Sequence, residues 1–380
     1  FHMKPFEHGG NIHKVHRETG LSFDTLIDFS ANLNPLGPSP IGTEALKSAI
    51  GTLTHYPDPD YVDLRFKLAQ FHGAGVLPEH VYPTSGGIEA IYDVVRALKP
   101  KKCLIVVPAF VEYERAARAV GAEISHLTLG KDNGFQIDET GFIKSIEREK
   151  PDLIMLGSPN NPTGQPVPRK LVEAALSHLA QWNGALMTDE AFMDFLPDEA
   201  AWSMTADVTA WANLFIARSL TKFYAVPGLR IGYMLSASER FKSYWQNEKP
   251  VWGVNTLAEA YVIAALEDMG YLQETLQTIT ALRKKLVEKL SHYKEIKVFP
   301  GKANFILIEV TGALKSILFE ELIKYNIMIR DCSNYAGLRD GFYRLAVLDS
   351  EAIQRLDDAL GSVFQAQESE PEIETRVSDA

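Results

Sequence analysis

The chain has 380 residues, which is typical of two domains, because a chain of this length is usually too long to fold around a single hydrophobic core. Apolar residues make up 46% and charged residues 23%, as in soluble globular proteins, and no apolar run approaches the roughly 20 residues of a membrane span. The formal net charge of −11 argues against nucleic acid or an anionic membrane as a partner, because their phosphates would be repelled. A small anionic substrate remains compatible with this charge, since a local arginine cluster can outweigh it.

Only two cysteines occur, Cys103 and Cys332. Cys103 lies in an apolar run, which predicts a buried and unreactive thiol, and two such residues make neither a disulfide framework nor a zinc site. The N-terminal residues lack the charged-then-apolar pattern of a signal peptide. We therefore expect a cytoplasmic protein that binds no metal.

The first segment, residues 4–45, is predicted to be an irregular arm with one short helix, because Asn, Pro and Gly interrupt its pattern. From 46 to 250, short apolar runs alternate with segments long enough for crossover helices, such as 166–182. Nearly continuous apolar runs are typical of parallel strands covered on both faces. Sheets of this kind bind ligands at the carboxyl ends of their strands. The predicted strands are 104–107, 153–156, 185–188 and 214–217.

The remaining segment, residues 251–365, is predicted to form a smaller α+β domain that begins with a long helical stretch over about 255–293. Residues 366–380 are poor in apolar residues, which predicts a disordered tail. The whole pattern indicates an α/β fold, in which a doubly wound, mostly parallel sheet is joined to a small C-terminal domain. The strands predicted in the small domain are 303–309, 327–330 and 342–347.

A distinctive motif follows the predicted strand 214–217: Ser219, Lys222 and Arg230 are spaced by three and then eight residues, with Pro-Gly between. A lone lysine after a strand is ordinarily solvated, but a lysine that binds an aldehyde covalently needs a lowered pKa. A nearby phosphate favours a hydroxyl and a forked guanidinium. The motif resembles that of the fold-type I enzymes dependent on pyridoxal 5′-phosphate (PLP), the aspartate aminotransferase superfamily. The resemblance implies that Lys222 forms a Schiff base with PLP and that Ser219 and Arg230 bind its phosphate.

Two further strand ends carry polar residues that match the same superfamily. Asp189 follows the predicted strand 185–188, and Asn161 lies in Asn-Asn-Pro-Thr-Gly after 153–156. In isolation the aspartate could cap a helix and the asparagine could mark a turn. The resemblance implies that Asp189 pairs with the pyridinium nitrogen, which keeps the ring able to accept electrons, and that Asn161 binds the phenolate oxygen. Lys222 and Asp189 are thus the expected catalytic residues.

The other cofactor contacts implied by the resemblance have simpler competing interpretations. Gly86, Gly87 and Ile88 open a predicted helix, where backbone N–H groups can bind phosphate, although a structural turn explains the glycines equally well. The segment is not a GxGxxG fingerprint, so nicotinamide binding is not expected. Phe110 matches the ring-stacking aromatic or is a core residue. Tyr56 matches a tyrosine that reaches the phosphate in the neighbouring subunit, which implies a homodimer with shared active sites, or is an aromatic packed in a turn.

Two arginines, Arg330 and Arg344, end predicted strands of the small domain. Either could form a surface ion pair of little energetic value, but two that converge on one cleft suit a substrate with two anionic groups. Four further motifs resemble those of the L-threonine-O-3-phosphate decarboxylases of cobalamin biosynthesis, and this resemblance extends over residues 7–362. The motifs are His-Gly-Gly-Asn from residue 8, Asp-Phe-Ser-Ala-Asn-Leu-Asn-Pro-Leu-Gly from 28, Asp-Glu-Ala-Phe from 189 and Asn-Tyr-Ala-Gly-Leu from 334. The substrate contacts that this implies are His8, Gly9, Asn32, Asn161, Arg330 and Arg344.

The sequence leaves several alternatives open. Histidinol-phosphate aminotransferases share the PLP motifs but usually have Tyr where this chain has Phe192, and they lack the His-Gly-Gly-Asn arm. A regulatory protein that reuses the fold would usually carry a DNA-binding domain, for which we expect no room. Phosphothreonine and phosphoserine differ by one methyl group, which a pocket distinguishes by only about 1–3 kcal/mol. The anion that each arginine would bind also remains open.

Overall fold

The computed structural model describes residues 7–73 and 75–368. Its strands are short, and most of them lie in the apolar runs of the sequence. The strands are β1 Ile27–Asp28, β2 Val81–Thr84, β3 Lys102–Val107, β4 Glu123–Thr128, β5 Leu153–Gly157, β6 Ala185–Asp189, β7 Leu214–Ser219, β8 Gly232–Leu235, β9 Ile296–Phe299, β10 Phe305–Val310, β11 Ile327–Met328, β12 Arg330–Asp331 and β13 Phe342–Ala346.

Helices connect most of these strands, and several begin at a side chain that caps their first N–H groups. Asp268, for example, accepts a hydrogen bond from Tyr271 N at the start of the longest helix. The helices are α1 Ile12–Thr19, α2 Pro40–Ala49, α3 Val62–His72, α4 Gly86–Leu98, α5 Glu112–Ala119, α6 Glu139–Glu149, α7 Arg169–Ala180, α8 Glu199–Trp202, α9 Glu239–Asn247, α10 Thr256–Ala265, α11 Met269–Leu290, α12 Leu318–Ile323 and α13 Ser350–Glu368.

The large sheet has the spatial order β2-β8-β7-β6-β5-β3-β4, with parallel pairing from β7 to β4. The four predicted strands are its centre, so the expected α/β architecture with a mostly parallel sheet is confirmed. Gly157 pairs with Asp189, and Asp189 with Ala217, so the carboxyl ends of β5, β6 and β7 lie side by side. The sequence did not predict β2, β4 or β8, because two of them have four residues and β4 is a partly exposed edge strand.

Both faces of this sheet are covered, as the continuous apolar runs require. Leu104 and Val106 pack in one hydrophobic core, whereas Cys103 and Ile105 pack in the other. The residues of a single strand therefore serve both layers. Burial raises the pKa of the Cys103 thiol to about 12, which agrees with the expectation of an unreactive cysteine.

The small domain contains an antiparallel sheet of order β12-β13-β10-β9. The N-terminal arm reaches this region, because β1 pairs in parallel with β11. Helix α13 continues to Glu368, three residues into the predicted tail, since Ala, Gln and Glu favour helix beyond the last core contact. The rest of that tail and residues 4–6 of the arm lie outside the described residues. Among the described helices, none is long and apolar enough to cross a membrane.

Candidate active site

A cavity of about 510 Å³ lies at the carboxyl ends of β5, β6 and β7, beneath the N-terminal arm and beside the small sheet. It brings together residues that are up to 336 positions apart in the chain, from His8 to Arg344. The predicted site residues that line it are His8, Gly9, Asn32, Gly87, Ile88, Phe110, Asn161, Asp189, Lys222, Arg230 and Arg344. Gly86 and Ser219 contact lining residues, whereas Tyr56 and Arg330 are absent from the lining.

Lys222 lies in the turn after β7, where its backbone oxygen accepts a hydrogen bond from Asn34 N at 3.0 Å. Its Nζ donates to Ser219 Oγ at 3.3 Å. Burial and the positive charges of Arg230 and Arg344 lower the pKa of the amine to about 8. A neutral amine is the nucleophilic form, so this lysine is prepared to react with an aldehyde near neutral pH.

Asp189 ends β6 with its carboxylate held in a fixed orientation. Oδ2 accepts a hydrogen bond from Tyr113 OH at 2.7 Å, and Oδ1 accepts one from Ala191 N at 3.0 Å. Burial raises the pKa of the Asp189 carboxyl despite these hydrogen bonds and the charge of Lys222. A protonated ring nitrogen placed against this carboxylate would offset the cost of burying it.

The start of α4 and the segment after β7 form a concave surface suited to a phosphate. Gly86 has φ +82°, and a Cβ there would lie only 2.5 Å from Nη2 of Arg230. A Cβ on Gly87 would lie 3.3 Å from Ser219 Cβ. The backbone at the helix N-terminus, the Ser219 hydroxyl and the Arg230 guanidinium therefore converge, and each is a donor that binds phosphate in proteins.

Arg344 is buried, and neighbours on both sides hold its guanidinium. Nη1 donates to Asn161 Oδ1 at 2.5 Å and lies 3.3 Å from Tyr335 OH, while Nη2 donates to Ser30 O at 2.8 Å. Tyr335 OH also donates to Asn161 Oδ1 at 3.2 Å. Since two donors occupy Oδ1, the Nδ2 amide group of Asn161 is the part left to bind a ligand oxygen.

The N-terminal arm closes one side of the cavity through close contacts. Gly9 packs so tightly that a Cβ would lie 2.3 Å from Ser30 O, and Gly10 N donates to Ser30 Oγ at 2.7 Å. His8 Nε2 lies 2.6 Å from Glu112 Oε1. The His-Gly-Gly segment therefore places the His8 imidazole at the cavity. This close approach of the arm requires glycine at position 9, because any side chain there would collide with the backbone of Ser30.

Two buried polar atoms at the site have no hydrogen-bond partner among residues 7–73 and 75–368. They are Asn32 Oδ1 and Arg344 Nε. The backbone of Asn32 is itself fixed, because Asn304 Nδ2 donates to Asn32 O at 3.0 Å. Unpaired polar atoms are costly inside a protein, so a polar ligand in the cavity would stabilise both.

Arg330 does not face the same cavity as Arg344, although the two pair directly across β12 and β13. Its Nη2 donates to Glu7 O at 2.7 Å and to Asn334 Oδ1 at 3.0 Å. The expectation that both arginines converge on one cleft therefore holds only for Arg344, because the arm backbone takes up the hydrogen bonds of Arg330. A direct role of Arg330 in substrate binding stays a prediction.

Tyr56 is 79% exposed, and its ring stacks on that of Trp252 at 4.5 Å. Its side chain therefore does not reach the cavity of its own chain. This position is compatible with the predicted contact to a neighbouring subunit, which remains a prediction.

Sequence reasoning missed three side chains that organise the site. Tyr113 orients Asp189, Tyr335 joins Asn161 to Arg344, and Glu112 binds His8. Tyr335 belongs to the Asn-Tyr-Ala-Gly-Leu motif, which was a usable signal. Tyr113 and Glu112 follow Phe110 closely, but nothing in the local sequence indicates their distant partners.

The cavity fits PLP in the chemistry of its donors. A lysine with a lowered pKa, a buried carboxylate, an amide donor and a glycine-lined phosphate surface surround one space. Phe110 borders the same space and offers an aromatic face to a ring. In the described part of the chain, no group of His, Cys, Asp and Glu side chains is arranged to hold a metal ion.

This fold and site define a PLP-dependent enzyme of fold type I. The model of the aminotransferase class I and II family matches residues 24–360, so the chain belongs to that family, and its cofactor is PLP. It is 35% identical to the threonine-phosphate decarboxylase of Salmonella typhimurium, over 94% of this chain and 96% of that protein.

Two further comparisons extend the likeness. The adenosylcobalamin biosynthesis bifunctional protein CobDQ of Leptospira interrogans is 32% identical over 94% of this chain, which spans 41% of that longer protein. The crystal structure of the histidinol-phosphate aminotransferase from Clostridium acetobutylicum superposes with a TM-score of 0.83 at 30% identity, covering 90% of this chain and all of that one.

Proposed function

We propose that this chain is a PLP-dependent carboxy-lyase that converts L-threonine O-3-phosphate to (R)-1-aminopropan-2-yl phosphate and carbon dioxide for cobalamin biosynthesis. The observation that carries the proposal is the shared cavity of Lys222, Arg344 and the His8–Gly9 arm. Arg344 suits one anionic group of the substrate, and the arm adds a second polar surface for the other. The similarity to a threonine-phosphate decarboxylase supports the same assignment.

The proposed roles in the cofactor site follow from the contacts described above. PLP, when bound, would supply an electron sink for the electrons left at the substrate Cα. Asp189, held by Tyr113, would keep a negative charge against the ring nitrogen. Ser219, Arg230 and the backbone at Gly86–Gly87 would bind the cofactor phosphate. Lys222 Nζ would return a proton to Cα after carbon dioxide leaves.

The substrate residues would select the bond that breaks. An aminotransferase presents the Cα–H bond, whereas a decarboxylase has to present the bond to the carboxylate. We assign this choice to the anchoring of the substrate phosphate by His8, Asn32 and one arginine, which would orient the substrate carboxylate for release. His8→Ala should therefore increase transamination relative to decarboxylation, and an unchanged ratio of the two products would contradict the assignment.

We also assign a homodimer with shared active sites and a cytoplasmic location. Tyr56 and Trp252 form part of an exposed apolar surface that a second copy would cover. In this arrangement Tyr56 would contact the cofactor phosphate of the neighbouring subunit. Other exposed apolar residues near these two in sequence are Ile41, Ile50, Leu53, Val62 and Phe66 around Tyr56, and Val251 beside Trp252. We assign residues 4–45 to the substrate-binding arm, 46–250 to the PLP-binding domain and 251–365 to the small domain.

One experiment tests the proposed reaction. The PLP-loaded protein is incubated separately with phosphothreonine and phosphoserine, and carbon dioxide and the amine phosphate products are quantified. We expect carbon dioxide from phosphothreonine without any added keto acid, and less or none from phosphoserine. If phosphoserine proves the better substrate, ethanolamine phosphate is the product and the substrate assignment is wrong. Absence of carbon dioxide from both would refute the decarboxylase assignment.

A histidinol-phosphate aminotransferase is the second candidate, favoured by the close superposition on such an enzyme. Phe192 counts against it, because the Phe192 ring packs 4.9 Å from the Phe305 ring and offers no hydroxyl group. Consumption of 2-oxoglutarate with histidinol phosphate, and formation of glutamate, would favour this candidate. We expect neither.

A further inference from the structure

Glu112 is a buried carboxylate at the first position of α5, and its partners border the cavity. Oε1 lies 2.6 Å from His8 Nε2 and accepts from Arg115 Nη1 at 3.2 Å. Oε2 accepts from Tyr92 OH at 2.6 Å. Three side chains from three different segments therefore meet on one carboxylate that the motifs of the sequence do not include.

The ionisation of Glu112 fixes the hydrogen on its histidine partner. Burial acts to raise the pKa of Glu112, but the hydrogen bonds from His8 and Tyr92 outweigh it and lower the pKa to about 2. Burial raises the pKa of Tyr92 to about 12, so its phenol keeps the hydrogen that it donates. Because an ionised carboxylate can only accept, Nε2 of His8 is the donor in this pair.

The other nitrogen of His8 is the part of the ring available to a ligand. His8 borders the cavity, and its ring lies 5.4 Å from that of Phe110. Within the described ranges, Nδ1 has no hydrogen-bond partner in the protein. An imidazole ring that carries a hydrogen on each nitrogen donates from both, and a carboxylate that only accepts is a suitable partner for its Nε2 side. An anion in the cavity would then meet a charged N–H donor.

The backbone of the arm is held independently of Glu112. Arg330 Nη2 donates to Glu7 O at 2.7 Å, and Gly10 N donates to Ser30 Oγ at 2.7 Å, one on each side of His8. Loss of the charge on Glu112 should therefore change how the imidazole is held while the backbone of the arm keeps its path. A positioning role can thus be separated from a merely structural one.

We propose that Glu112 is a positioning residue that holds His8 as a two-sided hydrogen-bond donor and thereby sets the affinity for the phosphate group of the substrate. The identity of that anion rests on the proposed function. Tyr92 supports the same carboxylate by donating to Oε2, the oxygen that His8 does not contact. This assigns the second anion-binding group of the site to the partly exposed His8, held by the buried Glu112, beside the guanidinium of Arg344.

The test uses Glu112→Gln, which keeps the shape of the side chain and removes its charge. We expect KM for phosphothreonine to rise about tenfold, as for loss of a hydrogen bond to a charged group. The value of kcat should fall much less, because His8 still anchors the phosphate once substrate saturates the site. In a His8→Ala background the same substitution should have no further effect, since the two residues act through each other. Equal losses in both backgrounds would overturn the proposal.

A second readout does not depend on turnover. Inorganic phosphate is titrated into the PLP-loaded protein labelled with ¹⁵N-histidine, and the His8 signals are assigned with His8→Ala. We expect phosphate to shift these signals, and Glu112→Gln to require about tenfold more phosphate for the same shift. An identical response in parent and variant would overturn the proposal.

Two further results separate this proposal from the proposed function. If phosphate binds at His8 in a Glu112-dependent way but phosphothreonine is not decarboxylated, only the proposed function fails. If phosphothreonine is decarboxylated but Glu112→Gln behaves as the parent, only the positioning role fails. Should Glu112→Gln not fold, Tyr92→Phe replaces it, with an expected rise in KM of about threefold that disappears in the His8→Ala background. A rise that persists there would contradict the proposal.

Discussion

The surface proposed to bind the cofactor phosphate gives a sharp test, because a side chain at Gly86 would displace Arg230. Gly86 has φ +82°, and a Cβ at this position would lie 2.5 Å from Nη2 of Arg230. The guanidinium is the end of a flexible, exposed side chain, so it would move in response. Alanine at this φ also costs about 1–2 kcal/mol of conformational free energy, which lowers the free energy of unfolding.

We therefore expect Gly86→Ala to weaken PLP binding about 10- to 150-fold, since a displaced Arg230 loses charged hydrogen bonds that contribute about 1.5–3 kcal/mol. The dissociation constant is measured by absorbance titration of the apoprotein. Gly228→Ala is a matched control in the same segment, because a Cβ there would have no atom within 4 Å. Its effect should stay within about twofold. An unchanged dissociation constant for Gly86→Ala would refute the assignment of this surface to the phosphate.

Three other predictions concern charge, stability and assembly. The rate at which the apoprotein couples to PLP should rise with pH and level off above about 8, because Lys222 has a pKa of about 8 and reacts as the neutral amine. A rate that continues to rise toward the pKa of an ordinary lysine, about 10.4, would contradict this prediction. Arg218→Met should lower the free energy of unfolding, measured in urea, by about 3–5 kcal/mol. The reason is that the fully buried Arg218 pairs with Asp194 at 3.0 Å and with Glu199 at 2.6 Å, so a loss below about 1 kcal/mol would contradict the prediction. Trp252→Lys should convert the proposed dimer to monomers in sedimentation experiments, because it places a charge on the exposed apolar surface; a parent protein that is itself monomeric would contradict the assembly.

The positions of Asp189 and Lys222 at one edge of the sheet could be predicted from sequence because both residues follow strands. Asp189 and Lys222 come directly after buried apolar runs, and parallel strands end at the same edge of the sheet. The register of β5, β6 and β7 then sets them side by side. Sequence pattern is informative here because the structure depends on local continuity of apolar residues.

The supporting half could not be predicted in the same way. Tyr113 and Asp189 are 76 positions apart, and His8 and Glu112 are 104 positions apart, so no local pattern links them. Arg330 shows the converse difficulty. Its place at a strand end was predicted, but its side chain turns to the arm backbone at Glu7, a contact that depends on tertiary packing.

The central claim is that Lys222 carries the cofactor, since every other role in the site is defined relative to it. Reduction of the PLP-loaded protein with borohydride fixes the cofactor to the lysine that holds it, and peptide mapping by mass spectrometry then locates the modification. We expect the phosphopyridoxyl group on the peptide that contains Lys222, and none on any peptide of Lys222→Ala treated identically. Modification at another lysine, or the same modified peptides from parent and variant, would contradict the account.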